Sequence, residues 1–372
     1  MDKSKIVKFF MERGAHVDKT VLDIIYNNDE LFERLKSLDR KDLPHFITAD
    51  FIAKLQERAM PLSEKELKLS SKDYLQYYIK RYDAIKQILI NKPDLSNLVS
   101  VNKMSARMQK FSLIGIVTSV DYDTLTIEDT TGTARLSIDN GLSRTLTEDE
   151  VIGVVCEKTG NTHKAVKLIF PDTPVKKDVA KTKNDHLCFF ISDIHMDSEK
   201  FNLEFYQKFL NWVNEQIPMT IFVLGNVSQE PSDIEKFIKD VSKHSIIFIG
   251  HDNLPEGTKG HRDPLVYETE GIKIFASEGN FLTPYINRWS MQHDEAVINL
   301  LKKRHLNPTD ILNEDSFFLK TLPDILAFGN IGKPSATNYK GTTIIFSGNF
   351  TSEPVYRMIN LGTRETFKID FS

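Results

Sequence analysis

The sequence feature that most constrains the fold is a short, fully apolar run that ends in polar side chains. Leu187 to Ile191 is continuously apolar and is followed by Ser192, Asp193 and, two positions later, His195. An uninterrupted apolar run of this length predicts a β-strand that is buried on both faces. In open α/β sheets, functional side chains lie just beyond the carboxyl ends of such strands. Because a carboxylate and an imidazole at this spacing can point at one cation, we predict an α/β domain with a candidate site here.

Four later apolar runs end in the same way. They occupy residues 219–226, 245–252, 271–279 and 323–332, and each closes with glycine and polar residues. The carboxyl ends of parallel strands meet at one edge of a sheet, so these residues are expected to lie near the first pair. The residues at these ends are Asn226, Gly250, His251, Asp252, Glu278, Asn330 and Gly332.

The order of these strand ends resembles the motifs of the calcineurin-like phosphoesterase superfamily. Those motifs run Asp-x-His, Gly-Asp, Gly-Asn-His-Asp/Glu, a single His and Gly-His-x-His. Asp193 and His195 match the first motif, and His251 and Asp252 match part of the third. The sequence departs from the family at Asn226 in place of the metal-bridging Asp, Gly250 in place of Asn, Glu278 in place of the single His, and Asn330 and Gly332 in place of the last two His.

These departures remove most of what a two-metal site requires. Two divalent cations roughly 4 Å apart need a bridging anion, and the Asn226 side chain carries no charge. We therefore predict that the hydrolytic activity implied by the resemblance is lost or weak. No catalytic or metal-binding role is assigned to the vestigial residues and no cofactor is predicted, with Mn²⁺ or Mg²⁺ bound only if the nuclease site is active.

Each retained side chain also has a purely structural interpretation. Asp193 can cap the helix predicted over residues 199–214, or accept hydrogen bonds from loop amides near its start. His195 and His251 can be satisfied polar residues of strand-end turns. We favour the structural role for all three, since their partners in the family motifs are missing.

Composition excludes several functional classes. The formal net charge of −4 argues against a dedicated nucleic-acid coat, so contact with DNA is expected to be weak or indirect. Cys156 and Cys188 are the two cysteines, and their apolar surroundings predict buried free thiols without a disulfide framework. No apolar run reaches the ~18 residues of a membrane span, and the charged N-terminus lacks a signal-peptide core. The chain is expected to be soluble and intracellular, cytoplasmic if archaeal and nuclear if eukaryotic.

The length of 372 residues predicts two to three domains, and the first is expected to be helical. Residues 1–60 are predicted to form a small helical bundle in which Gly14 ends the first helix. Asp18 and Thr48 are placed to cap later helices. Such a bundle usually serves protein–protein or tethering contacts, and a plain accessory domain is the alternative.

Residues 61–107 are predicted to hold a polar linker and then a tyrosine-rich helix over residues 72–91. The helix carries Lys80, Arg81 and Lys86, and basic side chains interleaved with tyrosines favour a nucleic-acid interpretation. Tyrosines at helical spacing more often pack against a neighbouring domain with their hydroxyls reaching water. We prefer this second interpretation.

The hydrophobic period changes to two over residues 108–174. Five short strands and an Asp-Thr-Thr-Gly-Thr turn predict an OB-fold, a fold that often binds single strands on aromatic side chains. The expected exposed positions include Asp121, Asp123, Glu128 and Asp129, which would repel phosphate. We therefore favour an OB-fold that packs against or binds a protein partner.

The remainder of the chain is predicted to be a phosphoesterase-like domain over residues 185–372. A hinge at residues 171–177 leads into it. Residues 288–318 are expected to be a helical insertion over the old site, and the runs at 342–350 and 355–361 are expected to supply the closing strands.

The complete order of segments resembles the small, B-type subunits of archaeal family-D DNA polymerases and, more distantly, the B-subunits of eukaryotic replicative polymerases. Residues 6–14, residues 78–89 and the strand ends from Asp193 to Gly332 carry this resemblance. It implies a multidomain α/β fold with an N-terminal helical domain, a five-stranded OB-fold and a C-terminal calcineurin-like phosphoesterase sandwich. It also implies a large catalytic subunit as the partner.

The leading prediction is an accessory subunit that scaffolds the large catalytic subunit of a replicative DNA polymerase, with its own nuclease site inactive. The alternative is a metal-dependent 3′→5′ single-strand DNA exonuclease that proofreads for that polymerase. Such an enzyme would use Asp193, His195, His251 and Asp252, with Glu278 as a further candidate. A third hypothesis, a free-standing single-strand-binding protein, is disfavoured by the acidic positions of the OB-fold.

Overall fold

The computed structural model describes most of the chain from residue 71 onward and parts of the N-terminal region. Asn330 and the predicted polar linker lie outside the described residues. No helix in the described part is long and apolar enough to cross a membrane. The described residues are 3–26, 31–32, 35–36, 40, 43–44, 46–48, 51–52, 71–175, 179–310, 315–329, 331–350 and 354–371.

The described N-terminal residues contain two helices and a small parallel sheet. Helix α1 spans Lys3–Glu12 and helix α2 spans Lys19–Tyr26. Strands β1 (His16–Val17) and β2 (Phe46–Ile47) pair in parallel. The prediction of a helical bundle did not include this small sheet. Strands of two residues leave no hydrophobic period for sequence reasoning to detect.

Both capping predictions in this region are confirmed. The Asp18 carboxylate accepts a hydrogen bond from the Val21 amide at 2.8 Å. The Thr48 hydroxyl accepts one from the Phe51 amide at 3.2 Å. These side chains satisfy amides that have no partner within the first turn of a helix.

Helix α3 (Ser71–Leu89) is the tyrosine-rich helix, and it packs against a β-barrel. Tyr82, Ile85 and Leu89 are buried against apolar barrel side chains. The Tyr82 hydroxyl donates to the Ile114 carbonyl at 3.3 Å, so it reaches the barrel rather than water. Burial, reinforced by the charges of two aspartates, raises the pKa of Tyr82 to about 12. The interpretation of this tyrosine as a packing residue is confirmed.

The barrel is closed and has five strands in the order β3-β4-β5-β7-β6. All neighbouring pairs are antiparallel except β5 and β7, which run parallel. Cys156 is a buried free thiol in its core, as predicted, and burial raises its pKa to about 12. The strands are β3 (Lys110–Val120), β4 (Thr124–Asp129), β5 (Gly132–Ile138), β6 (Val151–Thr159) and β7 (Thr162–Ile169), with the short helix α4 (Asn140–Ser143) after β5.

Asp129 is not the free surface charge that the sequence suggested. Its Oδ1 accepts hydrogen bonds from the Thr131 amide at 2.7 Å and the Gly132 amide at 3.1 Å. Its Oδ2 accepts one from the Val101 amide at 2.9 Å. Although partial burial opposes the effect, these bonds lower the pKa of Asp129. This residue therefore shapes the turn between β4 and β5.

The rest of the chain forms two sheets that face each other across an apolar core. The first has six strands in the order β11-β10-β9-β8-β17-β18, with β8, β9 and β10 parallel to one another. These strands are β8 (Leu187–Ser192), β9 (Thr220–Leu224), β10 (Ser245–Ile249), β11 (Gly260–His261), β17 (Val355–Asn360) and β18 (Thr366–Asp370).

The second sheet has five strands in the order β12-β13-β14-β16-β15, with β13, β14 and β16 parallel. Cys188 lies between the two sheets as a buried free thiol, and burial raises its pKa. The strands are β12 (Leu265–Thr269), β13 (Ile272–Ser277), β14 (Ile325–Phe328), β15 (Ser335–Tyr339) and β16 (Thr342–Phe346).

Helices cover the outer faces of both sheets. Helices α5 (Leu203–Glu215) and α6 (Pro231–Asp240) pack on the first sheet. Helices α7 (Thr283–Trp289) and α8 (His293–Lys303) pack on the second. Helix α8 lies within the predicted insertion, whereas α7 begins five residues before it. The layer order is therefore helix, sheet, sheet, helix.

The side chain of Asn202 caps helix α5, accepting hydrogen bonds from the amides of Glu204 and Phe205 at 2.9 and 3.2 Å. The helix begins at Leu203 rather than near residue 199. The suggestion that Asp193 caps this helix was therefore wrong. The amides that need a partner follow Asn202 directly, so this side chain reaches them. Asp193 lies nine positions earlier in the chain.

The first residues of the predicted hinge are anchored to the second sheet. The Asp172 amide donates to the Lys302 carbonyl at 2.7 Å, and the Tyr339 hydroxyl donates to the Asp172 carboxylate at 3.0 Å. Lys340 forms an ion pair with the same carboxylate. These contacts lower the pKa of Asp172 against the opposing effect of partial burial. These contacts fix the position of the chain at the point where it leaves the barrel.

A buried lysine joins the barrel to helix α8. The Lys303 ammonium lies 2.7 Å from the Glu150 carboxylate, and both side chains are completely buried. It also donates to the Thr145 carbonyl and lies 4.5 Å from the centre of the Trp289 ring. Burial lowers the pKa of Lys303, and the carboxylate opposes that shift.

A buried arginine joins α3, the barrel and the loop after α8. Arg81, 1% exposed, forms two hydrogen bonds with the Asp315 carboxylate at 2.8 and 3.1 Å. It also donates to the carbonyls of Asp149 and Pro308 at 3.0 and 2.9 Å. His305 Nε2 lies 2.8 Å from Asp315 Oδ1. Arg81 is therefore a structural residue and is not available to a nucleic acid.

Candidate functional site

The predicted site residues from four strand ends come together at one edge of the two sheets. The Asn226 amide, after β9, donates to Asp193 Oδ1, after β8, at 3.3 Å. A Cβ placed on Gly225 would lie 2.7 Å from Asp193 Oδ1 and 3.7 Å from Glu278 Cγ, which follows β13. A Cβ placed on Gly250, after β10, would overlap Glu278. The expectation that these strand ends converge is met for the described residues.

Asp193 and His195 sit in a tight turn directly after β8. Both have a φ of +47°, a left-handed conformation that costs a non-glycine residue of order 1–2 kcal/mol. The turn is held by hydrogen bonds to the strand end of β9, from the Ile194 amide to the Asn226 carbonyl at 2.9 Å and from the Met196 amide to the Val227 carbonyl at 2.8 Å. His195 Nε2 lies 3.5 Å from Asp193 Oδ1.

His251 is a satisfied polar residue. Its Nε2 accepts a hydrogen bond from the Val227 amide at 3.2 Å, so this nitrogen carries no proton. Burial lowers the pKa of His251, and the neighbouring Asp252 opposes that shift. The lone pair that accepts the amide proton is not available to a cation.

The Glu278 carboxylate fills the space above Gly250. The φ of Gly250 is +71°, and any side chain there would collide with Glu278 Oε1. Asn280 Nδ2 donates to Glu278 Oε2 at 2.8 Å and holds the carboxyl group in place. The space that any side chain would need at position 250 is therefore taken by the Glu278 carboxyl group.

The Glu278 carboxyl group has a strongly raised pKa. Burial raises its pKa to about 7, and the nearby charges of Asp263, Asp193 and Asp252 add to the rise. Burial also raises the pKa of Asp263, although hydrogen bonds to Ser277 and to the Glu278 backbone oppose this. Several carboxyl groups gathered in one partly buried pocket repel one another, and this favours the protonated form of Glu278.

Sequence reasoning missed His293, which lies at the start of helix α8. Its imidazole sits directly over Gly332, so that a Cβ on this glycine would overlap the ring. Nε2 lies 3.1 Å from the Ser335 hydroxyl, and the ring packs edge-on against Phe346 with centroids 4.4 Å apart. Burial lowers the pKa of His293. The histidine lies 39 positions before the motif in the chain, and no sequence spacing links the two.

The residues present do not fit a pair of metal ions. Among residues that the structure describes, no group of three or more His, Cys, Asp or Glu side chains is arranged to hold a metal ion. Gly250 and Gly332 offer no donor atom, Asn226 offers no negative charge, and His251 uses Nε2 for an amide. A bridging anion and several neutral nitrogen donors would be needed.

Replacing Glu278 with glutamine is expected to stabilise the protein by about 1–2 kcal/mol at pH 8, after allowance for solvent screening. The folded chain keeps the carboxyl proton up to a pH of about 7, whereas an ordinary glutamate in the unfolded chain releases it near 4.5. The folded pKa is raised, so stability is full below pH 4.5 and is lost as the pH rises towards 7.

Urea denaturation at pH 5 and pH 8 measures this effect. The exposed Glu256 in the neighbouring loop provides the matched control, and its change to glutamine should leave the pH dependence of the wild type intact. An identical loss of stability between the two pH values in wild type and Glu278→Gln would contradict the electrostatic account of the pocket.

Comparison of the sequence with curated proteins finds relatives of a single kind. The chain is 22% identical over 463 residues to the DNA polymerase II small subunit of Archaeoglobus fulgidus, covering 97% of this chain and 94% of that one. It is 22% identical to the same subunit of Methanothermobacter thermautotrophicus over 77% of this chain and 74% of that one. For Thermoplasma acidophilum the identity is 20%, over 98% and 90%. No family model matches the chain.

Comparison with solved structures finds an archaeal phosphodiesterase and a Vps29 from Entamoeba histolytica crystallised with zinc. The first has a TM-score of 0.34 and 14% identity and covers 50% of this chain and 99% of its own. The second has a TM-score of 0.32 and 16% identity and covers 50% and 99%.

Proposed function

We propose that this chain, a relative of the archaeal DNA polymerase II small subunits along nearly all of its length, is itself the non-catalytic small subunit of a replicative DNA polymerase. The observation that carries the proposal is the similarity over 97% of the chain, with the strand-end pocket altered as described. A pocket with an uncharged side chain at Asn226, no donor side chain at Gly250 and His251 bonded to an amide suits a structural role better than hydrolysis.

The partner that this function requires is the large catalytic chain of the same polymerase. The names of the relatives, each a small subunit, support this partner. The net charge of −4 and the exposed acidic side chains of the barrel disfavour direct binding of this chain to DNA. We propose that DNA is contacted weakly or through the large chain, and that the complex works in the cytoplasm of an archaeon.

The proposed scaffold consists of an N-terminal helical domain, an OB-fold formed by the five-stranded barrel, and a calcineurin-like phosphoesterase sandwich. The barrel is closed, and β5 and β7 form its one parallel strand pair. This topology supports the OB-fold assignment. The buried contacts of Arg81 and Lys303 support a scaffold in which the barrel and the sandwich act as one body.

Co-expression with the large polymerase chain of the same organism tests the proposal. A tag on the small chain is expected to retain the large chain in a stable complex with a constant ratio of the two. Recovery of the small chain alone, under conditions in which the large chain is soluble, would contradict it.

The alternative, a proofreading exonuclease, is favoured by one observation, the contact between Asp193 and His195 at the end of β8. The purified complex, incubated with single-stranded DNA and Mn²⁺, separates the two functions. We expect no 3′→5′ degradation that depends on His195. Robust degradation abolished by His195→Ala would establish the exonuclease instead.

A further inference from the structure

Strand β18 forms one edge of the first sheet, and in the described part of the chain it pairs with β17. At the two ends of this pair the Phe371 amide donates to the Pro354 carbonyl and the Asn360 amide donates to the Glu365 carbonyl, both at 3.0 Å. Because hydrogen bonding alternates along an antiparallel pair, the odd-numbered residues of β18 bond to β17. The backbone groups of the even-numbered residues therefore point outward, and an edge of this kind is a template for a further strand.

The side chains of β18 divide between the two faces of the sheet, since successive residues of a strand alternate. The odd-numbered face lies under helix α5, where Ile369 packs against the apolar core and the centre of the Phe371 ring lies 5.7 Å from that of Trp212. Phe367 belongs to the same face and is 38% exposed. The apolar face of the sheet therefore continues to its edge, where one ring is partly uncovered.

The opposite face of β18 carries a pair of opposite charges. The Lys368 ammonium lies 3.1 Å from the Asp370 carboxylate, and these side chains are 55% and 40% exposed. A lysine on an edge strand discourages pairing with most strands. Because like charges directly opposite each other are destabilising, a strand that pairs here needs an acidic residue opposite Lys368 and a basic residue opposite Asp370.

The sequence of β18 meets this requirement when it is read in the opposite direction. If two copies pair in antiparallel fashion about Ile369, Lys368 of each copy lies opposite Asp370 of the other. The backbone groups of these residues point outward, so they can bond to each other across the pair. A register shifted by two residues would bring two lysines or two aspartates together instead, so charge selects this register.

The same register also covers the exposed ring. It places Phe367 of each copy opposite Phe371 of the other, at a position without mutual backbone hydrogen bonds, where facing side chains lie closest. Aromatic pairs across two strands add to the stability of a sheet. The polar face and the apolar face of β18 therefore select the same partner.

We infer that β18 is the contact of a symmetric homodimer, in which the first sheets of two copies of this chain join edge to edge. The occupant is a second copy because the strand is complementary to itself, in charge on one face and in apolar contact on the other. A twofold axis through Ile369 closes the contact, so assembly stops at two chains. An interface built on one strand is small, and we expect a weak dimer with a dissociation constant on the order of 10–100 µM. This dimer is independent of the proposed function.

Sedimentation equilibrium of the full chain, at concentrations up to about 1 mM, tests the dimer. Lys368→Glu places acidic side chains opposite each other and is expected to weaken self-association roughly tenfold, and Asp370→Lys should do the same with basic side chains. An equal mixture of the two variants restores opposite charges in both pairs and is expected to associate like the wild type. Lys236→Glu, on the exposed surface of helix α6, makes the same change of charge elsewhere and is the matched control.

A cysteine at the twofold axis reports the register. Ile369→Cys places two thiols opposite each other with a Cα separation of about 4.5 Å, which lies within the range of a disulfide. Oxidised glutathione is expected to link the two copies of this variant. Lys368→Cys is the matched control, because its thiols would be offset along the strands and too far apart to bond. Cys156 and Cys188 are buried and are expected not to react.

Three results would overturn the inference: a wild type that stays monomeric at the highest concentration, a Lys368→Glu variant that self-associates like the wild type, or a mixture of the charge variants that fails to associate. Because association of the mixture requires both variants to be folded, it also shows that unfolding does not cause their individual losses. Crosslinking of Lys368→Cys without crosslinking of Ile369→Cys would contradict the pairing about Ile369.

Discussion

Replacing Arg81 with methionine is expected to lower the free energy of unfolding by about 3–5 kcal/mol. The substitution leaves the buried Asp315 carboxylate without its two guanidinium hydrogen bonds and two carbonyl groups without a donor. A buried charge that has lost its partner costs more than the pair gained, because it cannot return to water. Urea denaturation followed by circular dichroism measures the loss.

Lys80→Met is the matched control, because Lys80 is the exposed neighbour of Arg81 on helix α3. It should change stability by less than about 0.5 kcal/mol. Arg81→Lys should lie between the two, since an ammonium group cannot reproduce the forked pair of bonds. Equal stability of Arg81→Met and Lys80→Met would show that this cluster does not hold the domains together.

The same substitution has a second readout at His305. Burial lowers the pKa of His305 to about 4; its hydrogen bond to Asp315 opposes that shift, and the charge of Arg81 adds to it. Without the guanidinium, Asp315 faces the imidazole alone, and the pKa of His305 is expected to rise. An NMR titration of the histidine signals would detect this change.

Lys303→Met is expected to cost a similar amount, about 3–5 kcal/mol, because it leaves Glu150 buried without a counter-ion. The double variant Lys303→Met with Glu150→Leu removes both charges and is expected to recover most of that loss. Thermal unfolding of the wild type, both variants and the exposed control Lys320→Met measures the difference. A double variant no more stable than Lys303→Met would indicate that the site cannot accommodate apolar side chains.

Much of the sandwich could be predicted from the sequence because buried parallel strands are continuous apolar runs. Strands β8, β9, β10, β13 and β14 all lie inside the runs that predicted them. The barrel strands followed from their period of two, and the turn at Asp129 followed from its composition. Local signals of this kind need no knowledge of distant contacts.

The contacts that join the domains could not be predicted in this way. Arg81 and Asp315 are 234 positions apart, and no sequence pattern pairs them. The sequence around Arg81 predicts a basic, exposed helix surface. In the structure this side chain is buried against the barrel. His293 was missed for the same reason, because only the fold brings it to Gly332. Pairings between distant charged side chains leave no periodic trace in a sequence.

Helix α8 restricts which side chains the pocket can accept at position 332. Its first residue, His293, occupies the room above Gly332, while its last, Lys303, is bound inside the interface with the barrel. A side chain introduced at position 332 would meet the His293 ring, so this ring would have to leave its contacts with Ser335 and Phe346. Because Lys303 fixes the other end of the helix, a movement of the whole helix would also disturb its contact with Glu150, and packing in this way couples the pocket to the barrel.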